Sequence, residues 1–169
     1  DEFAKNGNTV QLLGKRGRTL LPDAHGIVRT YIKGYGRTGS VYGDIFLDFF
    51  YTFRALKKLK GCDILVVNTF WGPIIAPLFF RNSYRRIVYN VARFPKRHLR
   101  LYTKVNLFAC TSGIVKHELC RVAPNLSSAK IVVVNNPIDT SVFNSTVALT
   151  EMPCPIIGYH GRIHREKGL

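Results

Sequence analysis

Asp63-Ile64-Leu65-Val66-Val67-Asn68 sets four consecutive apolar residues between two polar ones. A run this short and rich in branched side chains predicts a strand, and its lack of alternation predicts cover on both faces. Just upstream, Phe46, Leu47, Phe49, Phe50, Phe53, Leu56 and Leu59 recur at helical spacing, which predicts a helix over 44–60. Lys57, Lys58 and Lys60 suit the negative end of that helix's dipole, and Gly61 ends it. Downstream, Gly72-Pro73 opens a helix over 72–80, because the fixed φ of proline fits a first helical turn. A further strand is expected at 86–91.

The same alternation extends both ways. Strands are expected at 8–13 and 27–33, and again at 106–110, 130–134 and 155–159. Between them lie a flexible glycine-rich loop at Gly34, Gly36 and Gly39, a short helix at 95–102, and a helix at 113–121 that Ser112 can cap. Residues 1–7 read as the last turns of a helix, with Gly7 near its C-cap. Strands alternating with helices predict an α/β fold: a Rossmann-like parallel sheet with helices on both faces. Residues 146–154 are polar or proline-punctuated and read as a linker. The expected organisation is one sheet domain over 1–145, that linker, and the first strand and turn of a second domain over 155–169. Both ends read as cut from a longer protein.

Across its 169 residues the chain is 46% hydrophobic, enough to build a sizeable core. Its 12% aromatic content argues against disorder. Lys and Arg number 25 against 10 Asp and Glu, a net charge of +15. That balance excludes an acidic solvating tail and favours an anionic partner: a phosphate-bearing substrate, a membrane surface or nucleic acid. No apolar run reaches the ~18 residues of a spanning helix, and the N-terminus carries no signal pattern. Cys62, Cys110, Cys120 and Cys154 form no C-x-x-C pair and read as core thiols of a reducing compartment. His25, His98, His117, His160 and His164 make no metal constellation, so neither a metal nor another cofactor is expected.

In parallel sheets of this kind, ligands bind beyond the carboxyl ends of the strands. Candidate residues there are Thr69, Phe70 and Trp71, then Ala92, Arg93 and Phe94, then Thr111 and Ser112, then Asn135 and Asn136, then His160, Gly161 and Arg162. The last group opens the segment Gly161-Arg162-Ile163-His164-Arg165-Glu166-Lys167-Gly168. Glycine lets a phosphate approach the backbone, Arg162 offers a planar fork, and Lys167 supplies a point charge beside a helix start. Together they can clamp a diphosphate; the competing reading is a basic surface turn.

Gly161-Arg162 followed by Glu166-Lys167-Gly168 resembles the Gly-Arg…Glu-Lys-Gly signature of retaining, nucleotide-sugar-dependent glycosyltransferases of the GT-B fold, the glycogen-synthase-like group 1 enzymes. Three further segments are similar to that family's, in its order: Arg93-Phe94-Pro95-Lys96 with Leu101-Tyr102, Phe108 onward through Ser112 to Leu119, and Val132 onward through Asn136 to Phe143. The resemblance implies an N-terminal, acceptor-side Rossmann-like domain running into the start of a donor-side domain. It implies transfer of a sugar from a nucleotide diphosphate sugar to an acceptor hydroxyl, on a lipid-linked or cell-surface glycan, without a metal. Gly161, Arg162 and Lys167 would hold the donor diphosphate; Phe70, Trp71, Asn90 and Arg93 would face the acceptor. The family's first strand and glycine-rich loop, and the paired glutamates of its donor domain, are not within this span, so this span alone is expected to be inactive. Where the family often has a histidine after the fourth strand, Asn90 and Arg93 stand nearest. Asn90 can hydrogen-bond a sugar hydroxyl but cannot shuttle a proton.

Between Asp63 and Glu118 there is no acidic residue, while Lys96, Arg97, Arg100 and Lys104 fall in a short segment with Phe94, Leu99, Leu101 and Tyr102. A basic segment with apolar residues suits anionic lipid headgroups, so a cytoplasmic protein peripheral to the inner face of a membrane is expected. Nucleic acid is disfavoured, since no exposed stacking platform or recognition helix is evident. The alternative to an enzyme is a non-catalytic basic module that binds an anionic membrane surface or nucleic acid.

Overall fold

The computed structural model describes residues 2–16, 26–36, 38–59 and 61–138. The chain divides into two compact units, Asp1–Asn136 and Pro137–Leu169, so all but two of the described residues belong to the first. The linker and strand expected over 146–159, and Gly161, Arg162 and Lys167, lie outside the described residues.

The elements follow the predicted order. A short helix α1 (Glu2–Lys5) leads into β1 (Val10–Lys15) and β2 (Ile27–Ile32), which pair in parallel. Then come α2 (Val41–Lys58), β3 (Cys62–Val67), α3 (Gly72–Phe79) and β4 (Tyr84–Val91). A 3-10 helix (Arg97–Leu101), β5 (Leu107–Cys110), α4 (Gly113–Val122), a second 3-10 turn (Ser128–Lys130) and β6 (Ile131–Val133) complete the unit. Strands β3 to β6 form one sheet in sequential order, all parallel.

Local chemistry explains the boundaries. Helix α2 starts at Val41, three residues earlier than the apolar spacing indicates, because Ser40 caps it: its hydroxyl accepts the Gly43 N–H. Beyond its C-terminus Gly61 takes φ +84°, a left-handed turn that glycine adopts without strain. Ser112 accepts the Val115 N–H and starts α4, the cap expected of it. The glycine-rich loop before α2 is latched rather than loose. Thr38 donates its N–H and its hydroxyl to Asp44 at 2.8 and 2.9 Å, and the Lys15 ammonium donates to the Tyr35 carbonyl.

Register sets the core. Val67, Tyr89, Phe108 and Ile131 stand side by side across the four strands, flanked by the pairs Leu65 with Ile87 and Val91 with Cys110. These side chains meet Leu56 of α2, Ile75 and Ala76 of α3, Leu99 and Tyr102, and Leu119 and Val122 of α4 in one apolar cluster. The Tyr84 hydroxyl donates to the Leu56 carbonyl at 2.6 Å, tying the end of α2 to β4, and burial pushes its pKa up to about 12.

The alternate residues face the other way. Ile64 and Val66 are 59% and 64% exposed, and Val88, Leu107, Ala109 and Val132 share their face outside the core cluster. The expectation of helices on both faces, and of a doubly covered β3, is therefore met on one face only among the described residues. Period-two geometry makes the consequence sharp, since neighbours along β3 differ completely in burial. Leu65→Ala is expected to lower the unfolding free energy by about 2–5 kcal/mol, the range for emptying a core site. Ile64→Thr, one residue away, is expected to change it by no more than about 0.5 kcal/mol. Urea titration of both variants checks the contrast.

Candidate functional site

Because β3 to β6 are parallel, their carboxyl ends gather at one edge, where open parallel sheets place their ligands. The best-defined feature at this edge is the loop of residues 68–71 between β3 and α3. Five groups hold it. The Trp71 indole N–H donates to the Ile45 carbonyl of α2 at 2.7 Å. The Tyr102 hydroxyl donates to the Phe70 carbonyl at 2.8 Å. The Thr69 hydroxyl accepts the Gly72 N–H at 3.1 Å and meets the hydroxyl of buried Thr52 at 3.5 Å. Asp48 of α2 receives the backbone amides of Trp71 and Phe70, and the Tyr35 hydroxyl at 3.2 Å. Gly72 is required here: a Cβ would stand 2.8 Å from the Thr69 hydroxyl oxygen and 3.1 Å from Val67.

Around this loop lies an aromatic cluster. Phe70 meets Trp71 edge-on at 5.2 Å and His98 at 5.1 Å; His98 and Tyr102 are 5.8 Å apart, and Tyr102 and Tyr89 5.0 Å. Burial, reinforced by the Lys96 charge, holds the His98 imidazole below its ordinary pKa. Burial likewise raises the Tyr89 and Tyr102 hydroxyls, and Tyr102 is raised further by Tyr89 and Asp48. Burial also pushes the Asp48 carboxyl up, and its three donors act against that shift without cancelling it. The edge thus presents neutral hydrogen-bonding rings and one half-buried acid that has no cation partner among the described residues.

The acceptor-side residues named from the sequence divide between two faces. Phe70 and Trp71 belong to the clamped loop, and the indole N–H of Trp71 is committed to α2, so what Trp71 offers a ligand is its ring. Asn90 sits near the end of β4 on the face away from the helices, in register with Ala109. Arg93 follows β4 and is exposed. Of the cations named for a membrane surface, Lys96, Arg97 and Lys104 are exposed. Arg100 turns back to donate to the Val122 carbonyl at the end of α4, where a cation offsets the helix dipole. Cys62, Cys110 and Cys120 are free thiols; Cys110 is buried and the others half-buried. Among the described residues no three His, Cys, Asp or Glu side chains cluster to hold a metal ion. No helix there is long and apolar enough to cross a membrane. Two shallow concavities, lined by Phe79 and Arg81 and by Asp63 and Tyr84, lie at the opposite, amino-end edge of the sheet.

The residue that sequence reasoning passed over is Asp48. Its signal was present: it falls with Ile45, Thr52, Ala55 and Leu56 on the inward stripe of a helix otherwise apolar there. No protein-family model matches the chain, and no curated protein matches it significantly.

Asp48→Ala leaves two amides and a hydroxyl without their acceptor and is expected to lower stability by about 1–3 kcal/mol; Asp48→Asn keeps an acceptor and is expected to lose less. The folded carboxyl titrates above its ordinary value of 3.8, so its stabilising contribution is complete below that pH and is lost as pH rises through the folded value. The stability of the wild type relative to Asp48→Asn should therefore decline across that window and level off above it. Urea titrations at stepped pH measure this, and a difference that grows with pH would contradict the desolvated setting.

Proposed function

We propose that the chain is the acceptor-side part of a retaining glycosyltransferase of the GT-B type, which moves a sugar from a nucleotide diphosphate sugar to an acceptor hydroxyl. One observation carries the reading. Three of the four segments that resemble the family's run through the carboxyl ends of consecutive parallel strands: 93–102 after β4, 108–119 from β5 into α4, and 132–138 from β6 onward. That edge is where an open parallel sheet presents residues to a ligand. The acceptor then lies against Phe70, Trp71, Asn90 and Arg93, with the clamped loop as a rigid wall.

The chemical task is to stabilise the charge that grows on the leaving diphosphate as the glycosidic bond breaks. Gly161 admits the phosphates to the backbone, Arg162 grips oxygens through its fork, and Lys167 adds a compact positive charge. These three are the donor-side residues of the proposal. A peripheral attachment to the inner face of a membrane suits a lipid-linked acceptor.

Calorimetric titration of the chain with UDP, GDP and ADP tests the proposal. At least one is expected to bind, and Arg162→Ala and Lys167→Ala are each expected to weaken it about tenfold or more, the scale of one charge-assisted hydrogen bond. Arg93→Ala is expected to leave diphosphate binding unchanged. Binding of none of the three, or binding that ignores both substitutions, overturns the reading in favour of a non-catalytic basic module.

A further inference from the structure

Helix α2 has an outer stripe that the core does not use. Tyr42, Phe46 and Phe50, each one turn from the next, are 85%, 63% and 50% exposed. Ring contacts continue the stripe across to α3. Phe46 meets Phe50 at 5.1 Å, Phe50 meets Phe49 at 5.5 Å, Phe49 meets Phe53 at 6.5 Å, and Phe53 meets Phe79 at 5.8 Å, where Phe79 is again 62% exposed. The next positions along the same outer line are basic: Arg54, Lys57 and Lys58 on α2, and Arg81 just beyond α3, all exposed. None of these four cations has an ion-pair partner among the described residues. Both acids of α2 point elsewhere, Asp44 to Thr38 and Asp48 to Tyr35 and the loop after β3. The ridge is thus aromatic along one half and purely cationic along the other.

We propose that this ridge of α2 and the end of α3 docks the protein on an anionic lipid surface. The rings enter the headgroup region while the four cations meet lipid phosphates and carboxylates. Three observations favour a bilayer over other anionic partners. The outer rings meet their neighbours edge-on, with interplanar angles of 78°, 88° and 77°, and the one near-parallel pair, Phe49 with Phe53 at 21°, is half-buried, so the convex helix offers no flat exposed platform on which bases could stack. The exposed apolar surface includes Leu78 as well as the rings, which suits acyl chains and not nucleobases. The flanking charge is of one sign, which suits a uniformly anionic surface. The 3-10 segment with Lys96 and Arg97 is a weaker candidate, because Arg100 beside them is committed to α4. This surface lies on residues separate from the proposed diphosphate clamp, so its test and that of the transferase reading succeed or fail independently.

Co-sedimentation of the chain with phosphatidylcholine vesicles, with and without 30 mol % phosphatidylserine (an amount chosen to give a roughly physiological surface charge), tests the docking. Binding is expected to the anionic vesicles and to fall as salt is raised. Phe46→Ser with Phe50→Ser is expected to reduce partitioning at least about tenfold. Lys57→Ala with Lys58→Ala, at exposed sites that do not touch the core, should reduce it about fivefold per cation removed. Lys96→Ala with Arg97→Ala should leave it within about twofold of the wild type. Equal binding to both vesicle types, or loss only in the Lys96/Arg97 variant, overturns the assignment. So does failure to bind vesicles combined with a dimer or an oligonucleotide complex that the Phe46/Phe50 variant abolishes.

Discussion

A half-buried carboxylate with no cation beside it among the described residues ties the middle of α2 to the tip of β3. Asp48 can be tolerated there because it gathers two backbone amides and a tyrosine hydroxyl, and its raised pKa reflects what desolvation still costs. The geometry of the carboxyl edge depends on this attachment. Without an acceptor at position 48, the amides of Phe70 and Trp71 would have no partner from α2, and the loop would lean on the indole, Tyr102 and the Thr69–Thr52 contact. The loop fixes the start of α3 in turn, since Thr69 receives the Gly72 amide and Gly72 fits only because it has no side chain. One acid thus sets the relation between a helix, a strand end and the next helix.

Most of the architecture was legible because local and global preferences agree. The strands β3 to β6 and helices α2 to α4 were readable from apolar spacing, the Ser112 cap and the Gly61 stop, and the parallel pairing follows from strands separated by helices. What was not legible lies where one residue type serves two settings. Ile64 and Val66 have the composition of core residues, and nothing in a run of four apolar residues says which layer covers which side. The aromatic content of α2 likewise exceeds what its inward stripe can hold. Spacing counted Phe46 and Phe50 with Phe49 and Phe53, although 100° per residue turns the first two outward. At the site, Trp71 was visible as a residue after a strand, but the partner of its indole, a carbonyl 26 positions away, is a tertiary fact.

Charge is distributed so that the edge and the ridge differ in kind. The rings around the clamped loop are neutral, with His98 held toward its uncharged form and the tyrosines far from ionising, while Arg93, Lys96 and Arg97 stand exposed beside them. Such rings act by hydrogen bonds and edge contacts and not by charge. The outer ridge of α2 is the reverse: it carries cations and exposed rings and, among the described residues, no acid. A net charge of +15 therefore need not mean that the site itself binds an anion, because part of the excess sits on a surface facing away from it.

The two surfaces share one helix, and this has a physical consequence. Helix α2 presents Thr52, Ala55 and Leu56 to the core, Asp48 to the loop after β3, and Phe46, Phe50 and Arg54 to solvent. An 18-residue helix that meets the core along one stripe has its rotation fixed by that packing. Its outer rings are then held at a set angle to the carboxyl edge, and a surface that engages the rings orients the edge as well. A flexible tail could supply the same cations and rings but would leave the edge free to tumble. The packed helix couples attachment to orientation, which is the property an enzyme needs if its acceptor is itself anchored in the membrane.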